Sequence, residues 1–204
     1  MVPGERDLVA PAQGDGVSAT ALEVEGAYVL TSPVWPDERG FFREWFTRAA
    51  LAELGVDLAV AQANLSMSGR DVVRGLHYSV APEGQAKLVT CAYGTLVDVL
   101  VDVREGSPTF GAVATVELAA DADRAVYLPA GVAHGFCVTS EVGALCYLLS
   151  SPYNAPMERE IDPFDPAIAV AWPLSGPARV SDKDRDAPSL AARRAAGELP
   201  RYSA

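Results

Sequence analysis

The chain has 204 residues, half of them hydrophobic and 21% charged, the balance of one soluble globular domain with a substantial core rather than a disordered chain. A net charge of −11 argues against a nucleic-acid backbone partner, which needs a basic surface, while a few local arginines can still hold one anionic ligand. No run approaches the roughly 18 apolar residues that span a bilayer, and MVPGERDLVAPAQGDG lacks the basic-then-apolar order of a secretory signal, so a cytoplasmic protein is expected.

Residues 1–20, rich in Gly, Pro and Ala without periodicity, read as a flexible lead-in to a single domain over 21–204. From Leu22 the pattern is strand-like through LEVEGAYVLTSPVW, turns at PDERG and resumes in FFREWF. TRAALAELG (47–55) has helical composition and stops at Gly55, a C-cap residue. KLVTCAY and TLVDVLVDV (95–103) are separated by Gly94. In the second segment Val97, Val99, Val101 and Val103 share one face, and Asp98, Leu100 and Asp102 share the other. TFGAVATVEL, AVYLP and ALCYLLS follow, with turns at REGSP, ADAD and SEVG. SLAARRAAGELP reads as a helix of about two to three turns that stops near Gly197 and Pro200. Short strands with Gly, Pro and Asp turns, no internal repeat and no second core predict a mainly β domain, an antiparallel sandwich or barrel with a few peripheral helices. Cys91, Cys137 and Cys146, odd in number and in apolar surroundings, read as buried free thiols.

His77 in VRGLHYSV and His134 in YLPAGVAHGF are the two histidines of the chain. PAGVAH has the PxGxxH form with which metal-binding cupins turn a late histidine into the barrel. The earlier part of that ligand set is broken, because Tyr78 and Ser79 follow His77 where a second histidine belongs. Two histidines without a thiolate pair fall short of the three protein ligands of a catalytic zinc site, so no metal is expected. Arg74, Gln85 and Lys87 flank His77. Cations are seldom buried without partners, so this company points to a cavity for a polar, anionic ligand, where a neutral histidine can act as a base. Spacing alone does not choose the base's orienting acid or the opposing proton donor.

DERGFFREWF, QANLSMS, VRGLHYS, GQAKLV, GTLVDVLVDVREGSPTFG, YLPAGVAHGF, LCYLLSSPYNAPMERE, DPFDPAIAVAWP and VSDKD together resemble the dTDP-4-dehydrorhamnose 3,5-epimerase family, over roughly residues 22 to 190. That resemblance implies a cupin-like jelly roll, a homodimer with a nucleotide site shared across its interface, and a dTDP-sugar as substrate. It also implies the roles of individual residues. His77 corresponds to the catalytic base, Asp184 to its paired carboxylate, Tyr147 to the opposing acid and Lys87 to the lysine beside the C4 carbonyl oxygen. Arg74, His134 and Lys183 correspond to pocket positions, and Arg39, Phe42, Glu44, Gln62 and Asn64 to residues that hold the nucleotide. Tyr153 and Glu158 match the thymine-stacking position and its neighbour.

The chemistry suits these side chains. A C4 ketone acidifies the protons on C3 and C5, and inversion needs a base on one face and an acid on the other. Asp184 would fix the tautomer of His77, and Lys87 would stabilise the enolate oxygen. No redox or metal cofactor is required. Ser79, where the family commonly has Gln, and the long lead-in are departures. The expected activity is epimerisation at C3, C5 or both, with a C3-only or C5-only enzyme of an antibiotic-sugar pathway as the alternative and a non-catalytic sugar-nucleotide-binding cupin as a further one. Taken alone, Tyr147 suits a core strand, Lys87 a solvated strand edge, and Asp184 a charged run in which Asp182 and Asp186 are its rivals.

Overall fold

Tight turns between short apolar segments let the chain fold back on itself repeatedly, and the result is an antiparallel sandwich. A computed structural model describes residues 16–53, 55–82 and 84–203. The larger sheet has the order β1 (Ser18–Ala21), β2 (Tyr28–Thr31), β10 (Arg124–Leu128), β7 (Lys87–Tyr93), β12 (Val142–Leu149) and β5 (Gln62–Gly69). The smaller runs β13 (Glu158–Glu160), β6 (Val73–Ser79), β11 (Val132–Val138), β8 (Thr95–Asp102) and β9 (Val113–Ala119). A separate hairpin joins β3 (Val34–Asp37) and β4 (Gly40–Arg43). The expected cupin-like sandwich is therefore the observed fold.

Between the sheets lies a core of Val89, Leu100, Val126, Leu128, Phe136 and Leu145, among others. Each such aliphatic side chain contributes roughly 1.5–3 kcal/mol on burial. The two faces of β8 are both covered, which explains its alternation. Leu100 packs between the sheets, whereas Val99, Val101 and Val103 pack outward against Ile161, Ile168 and Leu199 of the chain's last third. Helix α1 (Arg48–Glu53) places Leu51 against the outer side of the larger sheet, and Gly55 N–H closes its end on the Ala52 carbonyl at 3.0 Å. Two short helices, α2 (Asp182–Arg185) and α3 (Leu190–Ala195), follow near the C-terminus.

Three expectations are corrected. LEVEGA is a turn rather than strand, because Gly26 takes φ +76° and the Ala27 N–H reaches back to Val24 O at 3.0 Å. Val24 is buried all the same, and its apolar spacing mimics a strand. Residues 18–20, assigned by composition to the lead-in, form most of β1 and pair with β2; residues 1–15 lie outside the described ones. Helix α3, at six residues, is shorter than its segment suggested. Among the described residues, no helix is long and apolar enough to cross a membrane.

Candidate active site

At one end the two sheets part around a cavity of about 630 Å³. β6 contributes His77 to its wall and leaves Leu76 and Tyr78 in the outer core, the alternation a strand imposes. β11 brings His134 to the same wall, and the two histidines are Cα partners across the strand pair. This register depends on glycine. A Cβ on Gly75, at φ +115°, would lie 2.6 Å from the Gly135 Cα and from the His134 carbonyl oxygen, so only two facing glycines allow so close a crossing.

His77 Nε2 donates to Asp184 Oδ1 at 2.7 Å. Asp184 is delivered by α2, whose N-cap Ser181 accepts the Asp184 N–H at 3.1 Å. Its rivals Asp182 and Asp186 are exposed, while Asp184 is 3% exposed. Burial pushes the Asp184 carboxyl up, but the bonds from His77, Ser181 and the Gly75 N–H outweigh it and hold it below the usual carboxylate range. With Nε2 committed, Nδ1 is the His77 nitrogen left to accept a proton.

The facing wall belongs to the larger sheet. Lys87 begins β7, an inner strand between β10 and β12, so the strand-edge lysine suggested by its sequence is in fact buried. Desolvation lowers its ammonium to about 8, with Glu158 pulling the other way. Tyr147 on β12 packs its ring edge-on against His134, 6.0 Å between centroids, and near Phe136 at 6.5 Å. Burial drives this phenol well above its ordinary range, opposed by Ser66, whose hydroxyl lies 3.1 Å from the Tyr147 oxygen. Arg74 lines the cavity and donates to Ser68 Oγ at 3.0 Å, tying the two sheets together there.

Of the residues singled out in the sequence, His77, Tyr147, Asp184, Lys87, Asn64, Arg74, His134, Tyr153, Glu158 and Lys183 line this one cavity. Gln62 stands just outside it, accepting the Tyr153 N–H at 2.8 Å and donating to Asn64 Oδ1 at 2.8 Å. Arg39, Phe42 and Glu44 do not reach it. Arg39 pairs with Asp37 on the exposed β3–β4 hairpin, Phe42 lies against Trp35 with its ring 5.8 Å away, and Glu44 is exposed just beyond. Lys183 is held by Glu160, which raises its ammonium. Four cations, Arg74, Lys87, Arg159 and Lys183, thus line one hollow in an acidic protein.

Several residues escaped the sequence reading. Asp98 pairs with His134 Nε2 at 2.6 Å and leaves its Oδ2 buried without a partner. An acid on an otherwise apolar strand was the available signal. Ser66, Arg159, Ser181 and Phe136 carried none beyond their place in quoted motifs. Ser79, the departure from the usual Gln, is buried and does not line the cavity. Among the described residues, no three His, Cys, Asp or Glu side chains converge as a metal-ligand set.

The profile of the dTDP-4-dehydrorhamnose 3,5-epimerase family matches residues 21–192. The chain belongs to that family. Its members are isomerases, and their sequence similarity to this chain extends well beyond the site. The dTDP-4-dehydrorhamnose 3-epimerase of Streptomyces niveus is 45% identical over 183 residues, 89% of this chain and 88% of the relative. A solved 4-keto-6-deoxy sugar epimerase from the novobiocin gene cluster of Streptomyces spheroides superposes with a TM-score of 0.89 at 44% identity, covering 93% of this chain and 96% of that one. The 3,5-epimerase of Legionella pneumophila, solved with dTDP-4-keto-L-rhamnose, superposes with a TM-score of 0.87 at 36% identity, covering 92% of this chain and all of the other.

Proposed function

We propose that this protein epimerises a dTDP-4-keto-6-deoxyhexose at C3, C5 or both, with His77 as base and Tyr147 as acid. The observation that carries the reading is their placement: His77, oriented by Asp184, stands on the smaller sheet, and Tyr147 stands on the larger, with one cavity between them. A planar enolate held there meets a base on one face and an acid on the other, the arrangement inversion demands. Lys87, desolvated and close to Glu158, stabilises negative charge growing on the C4 oxygen, a role of the kind worth about 3 kcal/mol when such a donor is deleted. Arg74, Arg159 and Lys183 supply charge for a diphosphate, and the exposed Tyr153 ring offers a face for the base.

The nucleotide end is completed by a second copy of the chain in this reading. Arg39, Phe42 and Glu44 are exposed on a hairpin away from their own cavity, and Trp35, Phe41 and Phe42 together expose apolar surface suited to a symmetric contact. The three thiols, all free and two of them buried, fit a cytoplasmic location. Incubation with dTDP-4-keto-6-deoxyglucose in D2O, followed by NMR, tests the activity. Deuterium at C3, C5 or both is the expected result and identifies the carbon; no incorporation at either refutes the reading.

A further inference from the structure

An acid that protonates carbon must become an anion, and the surroundings of Tyr147 make that costly. Its ring packs against the core between the sheets, and burial opposes the phenolate. Among the described residues, one hydrogen bond reaches its hydroxyl, from Ser66 at 3.1 Å. Ser66 sits on β5, the edge strand of the larger sheet, paired with Leu145, while Tyr147 pairs with Asn64. β5 is held by β12 alone, so the pairing of these two strands sets where the serine stands beside the phenol. Ser66 also lines the cavity and is half-buried.

Resting on the epimerase reading above, we infer that Ser66 is the positioning residue that makes Tyr147 competent as the acid. In the resting site the serine hydroxyl accepts from the phenol or donates to it, and either aims the phenol. After proton transfer the phenolate can only accept, so the hydroxyl rotates to donate, and the bond becomes charge-assisted and stronger. That gain exists only once the phenol has lost its proton, so it lowers the barrier to reprotonation and leaves abstraction alone. The proton count is simple. His77 takes a proton from carbon and the bonding pair moves onto the C4 oxygen. The Tyr147 O–H then breaks, a C–H bond forms on the opposite face, and the phenolate keeps the pair. His77, 42% exposed, returns its proton to solvent and the phenolate regains one, so none is consumed overall.

The signature is a split between two readouts of one reaction. Without the serine, enolate still forms, but it collapses back through His77, which has exchanged with solvent. In D2O, Ser66→Ala is expected to lower formation of inverted product about ten- to a hundredfold, the loss of one hydrogen bond to a charged group. Deuterium entry into uninverted substrate should change less than about threefold. Ser66→Thr, which keeps the hydroxyl, should restore inversion. Ser66→Cys, nearly isosteric but a weak donor, should repeat the alanine result even if the alanine protein folds poorly. Inversion at the wild-type rate in Ser66→Cys overturns the inference, and so does an equal fall of exchange and inversion in both variants. A wild-type protein that neither exchanges nor inverts refutes the epimerase reading itself and this inference with it.

Discussion

His77 and His134 face one another across β6 and β11, and each ring donates through Nε2 to a carboxylate, at 2.7 and 2.6 Å. Their settings differ in almost every other respect. The His134 side chain is 5% exposed and that of its partner Asp98 0%, and Asp98 comes from β8, the neighbouring strand of the same sheet. The His77 side chain is 42% exposed, and Asp184 reaches it from a separate helix 107 residues downstream. One pair is assembled by a ladder and almost wholly covered, although His134 still borders the cavity; the other is assembled across the fold and left open. The same two side chains at nearly the same distance thus form a covered tie in one place and, in the function proposed above, a usable base in the other, and access rather than hydrogen bonding separates them.

Mutations can break this contrast. The largest expected effect is on the open pair: His77→Ala lowers solvent exchange at the sugar carbon on the order of 10³-fold, measured by NMR in D2O. Asp184→Ala lowers it about 10²-fold or more through a misoriented ring, and it lowers the thermal melt as well, because the Gly75 N–H loses its acceptor even though His77 can still reach water. Asp98→Ala acts chiefly on stability. It leaves a buried imidazole N–H without its acceptor and costs about 1–3 kcal/mol in denaturant unfolding. If the Asp98 variant melts like wild type, the structural reading of the buried pair is wrong.

A smaller effect comes from pH. Burial lowers the Lys87 ammonium to about 8, so in the proposed mechanism enolate stabilisation fades and the rate is expected to fall as pH rises through about 8. Lys87→Gln should lower the rate and flatten that alkaline limb. Stability moves the opposite way, because between about 8 and the ordinary lysine value the unfolded chain binds the extra proton and folding strengthens with pH. The Asp184 carboxylate acts with the same sign in the acid range, because its folded value is also lowered. Its contribution is complete above the unfolded carboxylate value and is lost as pH falls through its lowered folded one.

Much of this was legible before any coordinates. Period-2 apolar segments and Gly or Asp turns marked β7 to β10 and β12, since local pattern and long-range pairing agree there. The LEVEGA segment misled because apolar spacing reports burial, and a turn can bury a valine as well as a strand can. Motifs in family order pointed to ten residues that share the cavity. Nothing local distinguished Asp184 from Asp182 and Asp186, because the choice is made by a serine cap and by a histidine from a distant strand. Lys87 is similar: whether a lysine at a strand's start is solvated depends on which strands flank it. Ser66 matters only through the atom of Tyr147 beside it, a relation that appears when β5 and β12 are in register.

The late arrival of Asp184 has a consequence for synthesis. In chain order, β12 with its tyrosine supplies the last strand of the larger sheet while the partner of His77 is still to come. A chain at that stage has Tyr147 and the strands β6 and β11 but an imidazole with nothing to aim it. A chain cut between β12 and residue 184 lacks the partner of His77, so only chains that extend through α2 hold that imidazole in place.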